Sequence, residues 1–152
     1  MREESALDPA AVSPAGAVGL TQLMLPTARR VARRLALPAP DRAGLMEPAT
    51  SIHIGAAYLG ELLGRFHGSA PLALAAYNAG ENAVERWRAA APGLPLDEFV
   101  EEIPYDETRG YVKRVLRSYA SYRLLSGGAQ AAQVVAPERP GRAGRAAARP
   151  GG

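Results

Sequence analysis

A nearly all-apolar run at residues 71–79 sets the strongest limit on the fold. Its composition predicts a short helix that ends at Tyr77-Asn78-Ala79-Gly80. A helix that is apolar all round is buried on all sides. The sequence therefore predicts that this helix lies in the interior, covered by the rest of the chain.

The remaining segments also favour helices, and none shows the strict alternation of a half-buried strand. We predict helices over residues 27–36, 51–66, 81–90 and 107–125. Ser51 is the expected N-cap of the second of these, because its hydroxyl can accept from free backbone N–H groups. Asp106 or Thr108 is the expected cap of the last. With 152 residues, the chain is predicted to form one all-α domain over residues 1–126.

Two of these helices have well-defined apolar faces. The face predicted for 51–66 consists of Ile52, Gly55, Tyr58, Leu59, Leu62, Leu63 and Phe66. The face predicted for 107–125 consists of Tyr111, Val112, Val115, Leu116, Tyr119 and Tyr122.

Of the loops, residues 8–26 hold enough apolar side chains to be packed rather than loose. Residues 91–105 are interrupted by prolines, with a helical turn expected at 97–101.

The positive charge of the chain belongs to its C-terminal tail. Residues 127–152 hold Arg139, Arg142, Arg145 and Arg149 against Glu138, which accounts for the whole formal charge of +3. A folded nucleic-acid-binding protein carries its basic patch on the domain, so we expect no nucleic acid partner. The tail is rich in Gly, Ala, Pro and Arg, a composition typical of disorder.

Other residue types exclude several kinds of site. There is no cysteine, so disulfides and thiolate metal sites are excluded. His53 and His67 stand alone in the sequence, and we expect neither a metal site nor a cofactor. We expect no transmembrane segment and find no leader with a cleavage site. No sequence feature fixes the oligomeric state.

Four motifs carry the functional signal, although each alone has an ordinary structural explanation. Glu3-Glu4-Ser5 suits a charged helical turn, and Gly19-Leu20-Thr21-Gln22 suits a turn. Ala75-Ala76-Tyr77-Asn78-Ala79-Gly80 suits a tightly packed helix end, and Glu107-Thr108-Arg109-Gly110-Tyr111-Val112 suits a helix start. They occur in a fixed order, together with Ser13-Pro14, Ser51-Ile52-His53-Ile54-Gly55 and Ile103-Pro104-Tyr105.

In this combination the motifs resemble the soluble lytic transglycosylase (SLT) domain over about residues 2–125. The resemblance implies a lysozyme-like all-α fold. It also implies cleavage of the β-1,4 bond between N-acetylmuramic acid and N-acetylglucosamine, without hydrolysis, to give 1,6-anhydromuramic acid ends. The expected partner is a peptidoglycan glycan strand. The expected location is therefore the bacterial cell envelope or periplasm.

Matched position by position, the family pattern makes Glu4 the catalytic acid. The implied substrate-binding residues are Ser13, Gln22, Tyr77, Asn78 and Glu107. Three positions depart from the pattern. Glu3 stands where many relatives have Gln, and Thr21 stands where Met is common. The proline that usually follows Met24 occurs one position later than in the family, as Pro26. In relatives a helix of several turns leads into the acid, so the chain is expected to be truncated at its N-terminus relative to the family.

A single acid is sufficient for this reaction. A carboxylic acid in an apolar setting keeps its proton near neutral pH and can donate it to the glycosidic oxygen. Leu20, Leu23, Met24 and Tyr77 are the residues that we expect to form that setting. The C6 hydroxyl of the same sugar can then attack in place of a second carboxylate. Two alternatives remain open: a hydrolase like goose-type lysozyme, and an inactive truncated peptidoglycan-binding module.

Overall fold

A computed structural model of the protein describes residues 1–125, so the tail predicted to be disordered at 127–152 lies outside the described residues. This part of the chain forms eight helices and one pair of short strands. The helices are α1 (Arg2–Ser5), α2 (Leu25–Arg34), α3 (Arg42–Met46), α4 (Pro48–Arg65), α5 (Ala70–Ala79), α6 (Glu81–Ala90), α7 (Leu96–Glu101) and α8 (Asp106–Leu125). The predicted all-α class is confirmed. Within residues 1–125, no helix combines the length and apolar character needed to cross a membrane.

Helix α5 occupies the interior, as its composition predicts. Five consecutive residues from Leu72 to Ala76 are buried. The helix packs against α4, α6 and α8. Its alanines allow these neighbours to approach closely, and Gly80 ends it with a positive φ of 86°. Tyr77 and Asn78 therefore stand at the end of the central helix, where it meets the loops.

The segment predicted as a loop, residues 8–26, contains two short strands. Strands β1 (Ala17–Val18) and β2 (Leu23–Met24) pair antiparallel, with Ala17 opposite Met24 and Val18 opposite Leu23. Strands of two residues are too short to display an alternating pattern, which is why the sequence did not reveal them. The connecting turn, residues 19–22, has positive φ angles at both Gly19 and Gln22.

Helix α4 begins earlier than predicted, at Pro48. Proline suits this first position because its missing N–H has no helical partner there. Ser51 therefore lies inside the helix and is not its N-cap. The predicted apolar face was also wrong at Ile52, which is 41% exposed, whereas Ile54 is 1% exposed and belongs to the core.

The other predictions for helices and loops differ mainly at their ends. Helix α6 has the predicted bounds, α7 contains the predicted turn, and α3 was not predicted. Thr108 lies within the first turn of α8 and its hydroxyl bonds to Asn78, so it does not cap the helix. Tyr119 and Tyr122, assigned to the apolar face of α8, are about half exposed.

Candidate functional site

Glu4 lies in the one-turn helix α1 at the edge of a cleft of about 330 Å³. The cleft runs between α1, α4 and α8, with the end of α5 and the 19–22 turn contributing to its wall. Four tyrosines line it: Tyr77, Tyr111, Tyr119 and Tyr122. Among residues 1–125, only Glu3 and Glu4 supply carboxylates to its lining.

The carboxyl group of Glu4 is partly buried and hydrogen-bonded. The phenolic hydroxyl of Tyr111 donates to Glu4 Oε1. Burial raises the pKa of Glu4 above its ordinary value, and this outweighs the Tyr111 bond and the N-terminal charge, which lower it. Burial and the charge of Glu4 also raise the pKa of Tyr111, so its hydroxyl stays protonated and remains a donor. Glu4 is thus a carboxyl group that holds its proton more firmly than an exposed glutamate.

Glu3 contributes its carboxylate to the same cleft but is bound by α8. The hydroxyl of Ser118 donates to Glu3 Oε1 at 2.9 Å, and Arg114 Nε lies 3.4 Å from Glu3 Oε2. The negative charge of Glu3 adds to the effect of burial in raising the pKa of Glu4. Helix α8 therefore holds both carboxylates, one through Tyr111 and the other through Ser118.

The turn beside Glu4 is fixed by hydroxyl groups from three helices. Ser5 Oγ donates to the Leu20 carbonyl at 3.0 Å, and the Tyr77 hydroxyl donates to the Thr21 carbonyl at 2.9 Å. Ser51 Oγ accepts from the backbone N–H of Thr21 at 3.3 Å and lies 3.0 Å from the Thr21 hydroxyl. Because Ser5 follows Glu4 directly, the acid and the turn are held as one unit.

Two glycines allow this turn to pack closely against the helices. A Cβ atom at Gly55 would lie 2.5 Å from Thr21 Cγ2, and one at Gly19 would lie 2.1 Å from the Leu45 carbonyl oxygen. Both separations are far shorter than any real contact, so neither position accepts a side chain without a shift of its neighbour. The cleft wall therefore depends on two close approaches: the Gly19 backbone to the Leu45 carbonyl, and the Gly55 backbone to the Thr21 side chain.

The predicted apolar setting of Glu4 is correct for Tyr77 but wrong for the other three residues. Leu20 and Leu23 are buried and do not line the cleft, Leu23 because it packs in the hydrophobic core, and Met24 is exposed. The wall near the acid is formed instead by residues from four elements: Thr21, Gly55, Leu74, Tyr77 and Tyr111.

Four predicted substrate-binding residues do not line the cleft at Glu4. Ser13 Oγ accepts from the N–H of Ala17 at 3.0 Å, and Gln22 Nε2 donates to the carbonyls of Ala11 and Gly19. These two residues shape the loop. Asn78 is exposed and accepts a hydrogen bond of 2.6 Å from Thr108, next to the exposed Glu107.

Sequence reasoning missed the role of Tyr111. It occurs in the Glu107–Val112 motif, but its place on an apolar stripe led to its assignment as a packing residue. Its hydroxyl was the available signal, because a buried tyrosine hydroxyl usually has a hydrogen-bond partner. Ser118 and Ser51 had no comparable signal, since their partners are distant in the sequence.

Comparison with known proteins assigns the chain to a family. Residues 1–99 match the transglycosylase SLT domain, and residues 102–131 match the soluble lytic transglycosylase helical domain. The chain therefore belongs to the SLT-domain lytic transglycosylase family.

Individual relatives agree with this assignment. The chain is 45% identical over 125 residues to a putative soluble lytic murein transglycosylase of Haemophilus influenzae, covering 82% of this chain and 21% of that protein. It is 41% identical over 128 residues to the soluble lytic murein transglycosylase of Escherichia coli K12, covering 83% and 20%. A solved structure of lytic transglycosylase Slt from Pseudomonas aeruginosa, an inactive mutant with glutamine in place of a glutamate, superposes with a TM-score of 0.79 at 40% identity, covering 85% and 21%. The chain thus spans about a fifth of the length of these relatives.

Proposed function

We propose that this chain is the catalytic domain of a peptidoglycan lytic transglycosylase, with Glu4 as its single general acid and base. Its substrate is the β-1,4 bond between N-acetylmuramic acid and N-acetylglucosamine in glycan strands. Family membership supports the reaction class. The observation that carries the assignment of Glu4 is its partly buried carboxyl group, bonded to Tyr111 at the edge of a cleft.

The raised pKa of Glu4 suits the first step. A protonated carboxyl group can donate to the glycosidic oxygen as that bond breaks. The resulting carboxylate can then take the proton of the attacking group. The Tyr111 bond keeps the carboxyl group in one orientation through both steps, since its hydroxyl can donate to the acid and to the carboxylate alike. The inactive Pseudomonas aeruginosa mutant, with a glutamate replaced by glutamine, is consistent with a reaction that needs one such acid.

The supply of carboxylates favours a transglycosylase over a hydrolase. Hydrolases of both stereochemical types use a second carboxylate, as nucleophile or to activate water. In the described cleft that group could only be Glu3, which is engaged by Ser118 and Arg114. The C6 hydroxyl of the muramic acid needs no second carboxylate. Its attachment to the reacting sugar gives it a high effective concentration. Attack by this hydroxyl forms the 1,6-anhydro ring.

We assign Tyr77 to the glycan-contacting wall beside Glu4. Ser13 and Gln22 would act by shaping the loop, and Asn78 and Glu107 would meet the glycan further along the chain surface. The substrate lies outside the cytoplasmic membrane, so we propose that the protein acts in the cell envelope. The names of the relatives, soluble lytic murein transglycosylases, support this substrate. The proposed chemistry uses no metal or cofactor.

Mass spectrometry of digested peptidoglycan tests the proposal. The protein should release fragments one water lighter than hydrolysis products, and Glu4→Gln should remove nearly all of this release while leaving the fold intact. Glu98→Gln, at an exposed position of α7, is the control and should retain activity. Reducing-end products from the unaltered protein would identify a hydrolase. Binding to peptidoglycan without any product would identify a non-catalytic module.

A further inference from the structure

Tyr77, one of the four tyrosines that line the cleft, packs against a further tyrosine that does not line it. The ring centroids of Tyr58 and Tyr77 are 5.2 Å apart, with an angle of 43° between the ring planes. Tyr58 lies on α4 and is only 6% exposed. At its other end, the Tyr77 hydroxyl is bonded to the Thr21 carbonyl. The Tyr77 ring is therefore held at its hydroxyl by the turn and at its face by Tyr58.

Tyr58 is held in turn by a charged group from α2. The guanidinium carbon of Arg30 lies 5.4 Å from the centroid of the Tyr58 ring, a distance typical of a cation–π contact. Arg30 Nη1 donates to Glu61 Oε2 at 2.8 Å, and Arg34 lies 3.1 Å from the same oxygen. Glu61 follows Tyr58 by about one turn of α4. The bond to Glu61 therefore holds the Arg30 side chain, which comes from α2, in place over the Tyr58 ring.

We propose that Tyr58, held by Arg30, is a positioning residue that fixes the orientation of Tyr77 in the glycan cleft. Neither Tyr58 nor Arg30 belongs to the cleft lining, so both act through Tyr77. The consequence for glycan cleavage rests on the proposed function. Tyr77 contacts substrate rather than the reacting proton in that proposal, so disturbing its support weakens substrate binding more than the chemical step.

Kinetics on glycan strands give the first test. Tyr58→Leu removes the ring beside Tyr77 and should raise KM by about threefold to tenfold, as expected for loss of an aromatic pair. The kcat should change much less, and its dependence on pH should stay the same. Tyr58→Phe keeps the ring and should restore the KM. Arg30→Met should raise KM in the same direction by a smaller factor.

The chain offers a matched control for these variants. The guanidinium carbon of Arg88 also lies 5.4 Å from an aromatic centroid, that of Phe99, a buried residue of α7 outside the lining of the Glu4 cleft. Arg88→Met and Phe99→Leu disturb a pair with the same separation and should leave KM unchanged. Tyr58→Leu should also have no further effect on KM once Tyr77 is replaced by leucine, because its effect passes through that ring. Equal effects in both backgrounds would contradict the proposal.

A spectroscopic readout separates this inference from the proposed function. With the tyrosine rings isotopically labelled, the NMR signals of the Tyr77 ring should shift in Tyr58→Leu and Arg30→Met, and not in Arg88→Met. The NMR signals report the Tyr77 ring whether or not the protein is active. If the wild-type protein gave no anhydro product, the proposed transglycosylase function would be refuted, and the NMR test of Tyr77 positioning would still apply. Unchanged Tyr77 signals together with an unchanged KM in Tyr58→Leu would overturn the inference and leave Tyr58 as a core residue only.

Discussion

The hydroxyl of Tyr111, on the last helix, donates a hydrogen bond to the carboxyl group of Glu4, three residues from the first residue of the chain. Two opposing influences meet at this contact. Burial raises the pKa of Glu4, whereas the bond from Tyr111 stabilises the carboxylate and lowers it. Tyr111 thus orients the acid and at the same time limits how far its pKa rises.

Tyr111→Phe should separate these two effects. The loss of orientation should lower kcat by roughly tenfold to 100-fold, since small misplacements of a catalytic group are costly. The loss of the bond should raise the pKa of Glu4 further, so the alkaline limb of the kcat profile should move to higher pH. A pH–rate series on glycan strands measures both changes. Ser121→Ala, which removes an exposed hydroxyl from the same helix outside the cleft lining, is the control. A lower kcat with an unmoved alkaline limb would show that Tyr111 has only a packing role.

Glu3→Gln should move the same limb in the opposite direction. The negative charge of Glu3 contributes to the raised pKa of Glu4. Its removal therefore lowers that pKa. Glutamine can still accept from the Ser118 hydroxyl, so the cleft should keep its shape. The measurement is the same pH–rate series, and a limb that moves to higher pH would refute this account of the charge.

Glu4→Gln should change the pH dependence of stability. The folded state holds the Glu4 proton more firmly than the unfolded chain does, because its pKa is raised from the ordinary 4.5. The free energy of unfolding of the wild type should therefore fall, relative to the variant, as pH rises from about 4.5 through the raised pKa. Above that pKa the difference should stay constant.

Urea titrations of both proteins over a pH series measure this difference. The effect originates mainly from burial, so it should persist in 1 M salt, where the interaction of exposed charges is screened. A wild type that gains stability relative to Glu4→Gln on the way to neutral pH would mean that the carboxylate, not the acid, is favoured by the fold.

The central features of the fold follow from the sequence, and the errors have local causes. The apolar run of α5 dictates burial whatever surrounds it, so its position was predictable. Ile52 was misassigned because the inward face of α4 is centred on Ser51, Ile54, Gly55, Tyr58 and Leu62, which places Ile52 at the edge of that face. The strands were missed because strands of two residues are too short to show alternating apolar and polar residues; their pairing depends on the turn that joins them.

The candidate site was predictable only where a residue carries its own chemical signal. Glu4 and Tyr77 stand out by motif, and the fold brings both to one cleft. The hydroxyl bonds that fix the 19–22 turn join residues up to 56 positions apart, so no local pattern could indicate them. Leu20 is the clearest failure: its carbonyl, not its apolar side chain, serves the site by accepting from Ser5.

Two glycines of α4 should respond in opposite directions to the same substitution. Gly55→Ala places a methyl group 2.5 Å from Thr21 Cγ2, so either the turn or the helix must move. Overpacking of this kind costs about 1–3 kcal/mol. It should also lower activity, because the Thr21 carbonyl anchors Tyr77. Gly60→Ala meets no atom within 4 Å on the same helix and should stabilise the protein by about 0.4–1 kcal/mol. Urea denaturation and glycan cleavage assays of the two variants provide the comparison. Stabilisation by both substitutions, with full activity, would show that the turn is not packed against α4 as described.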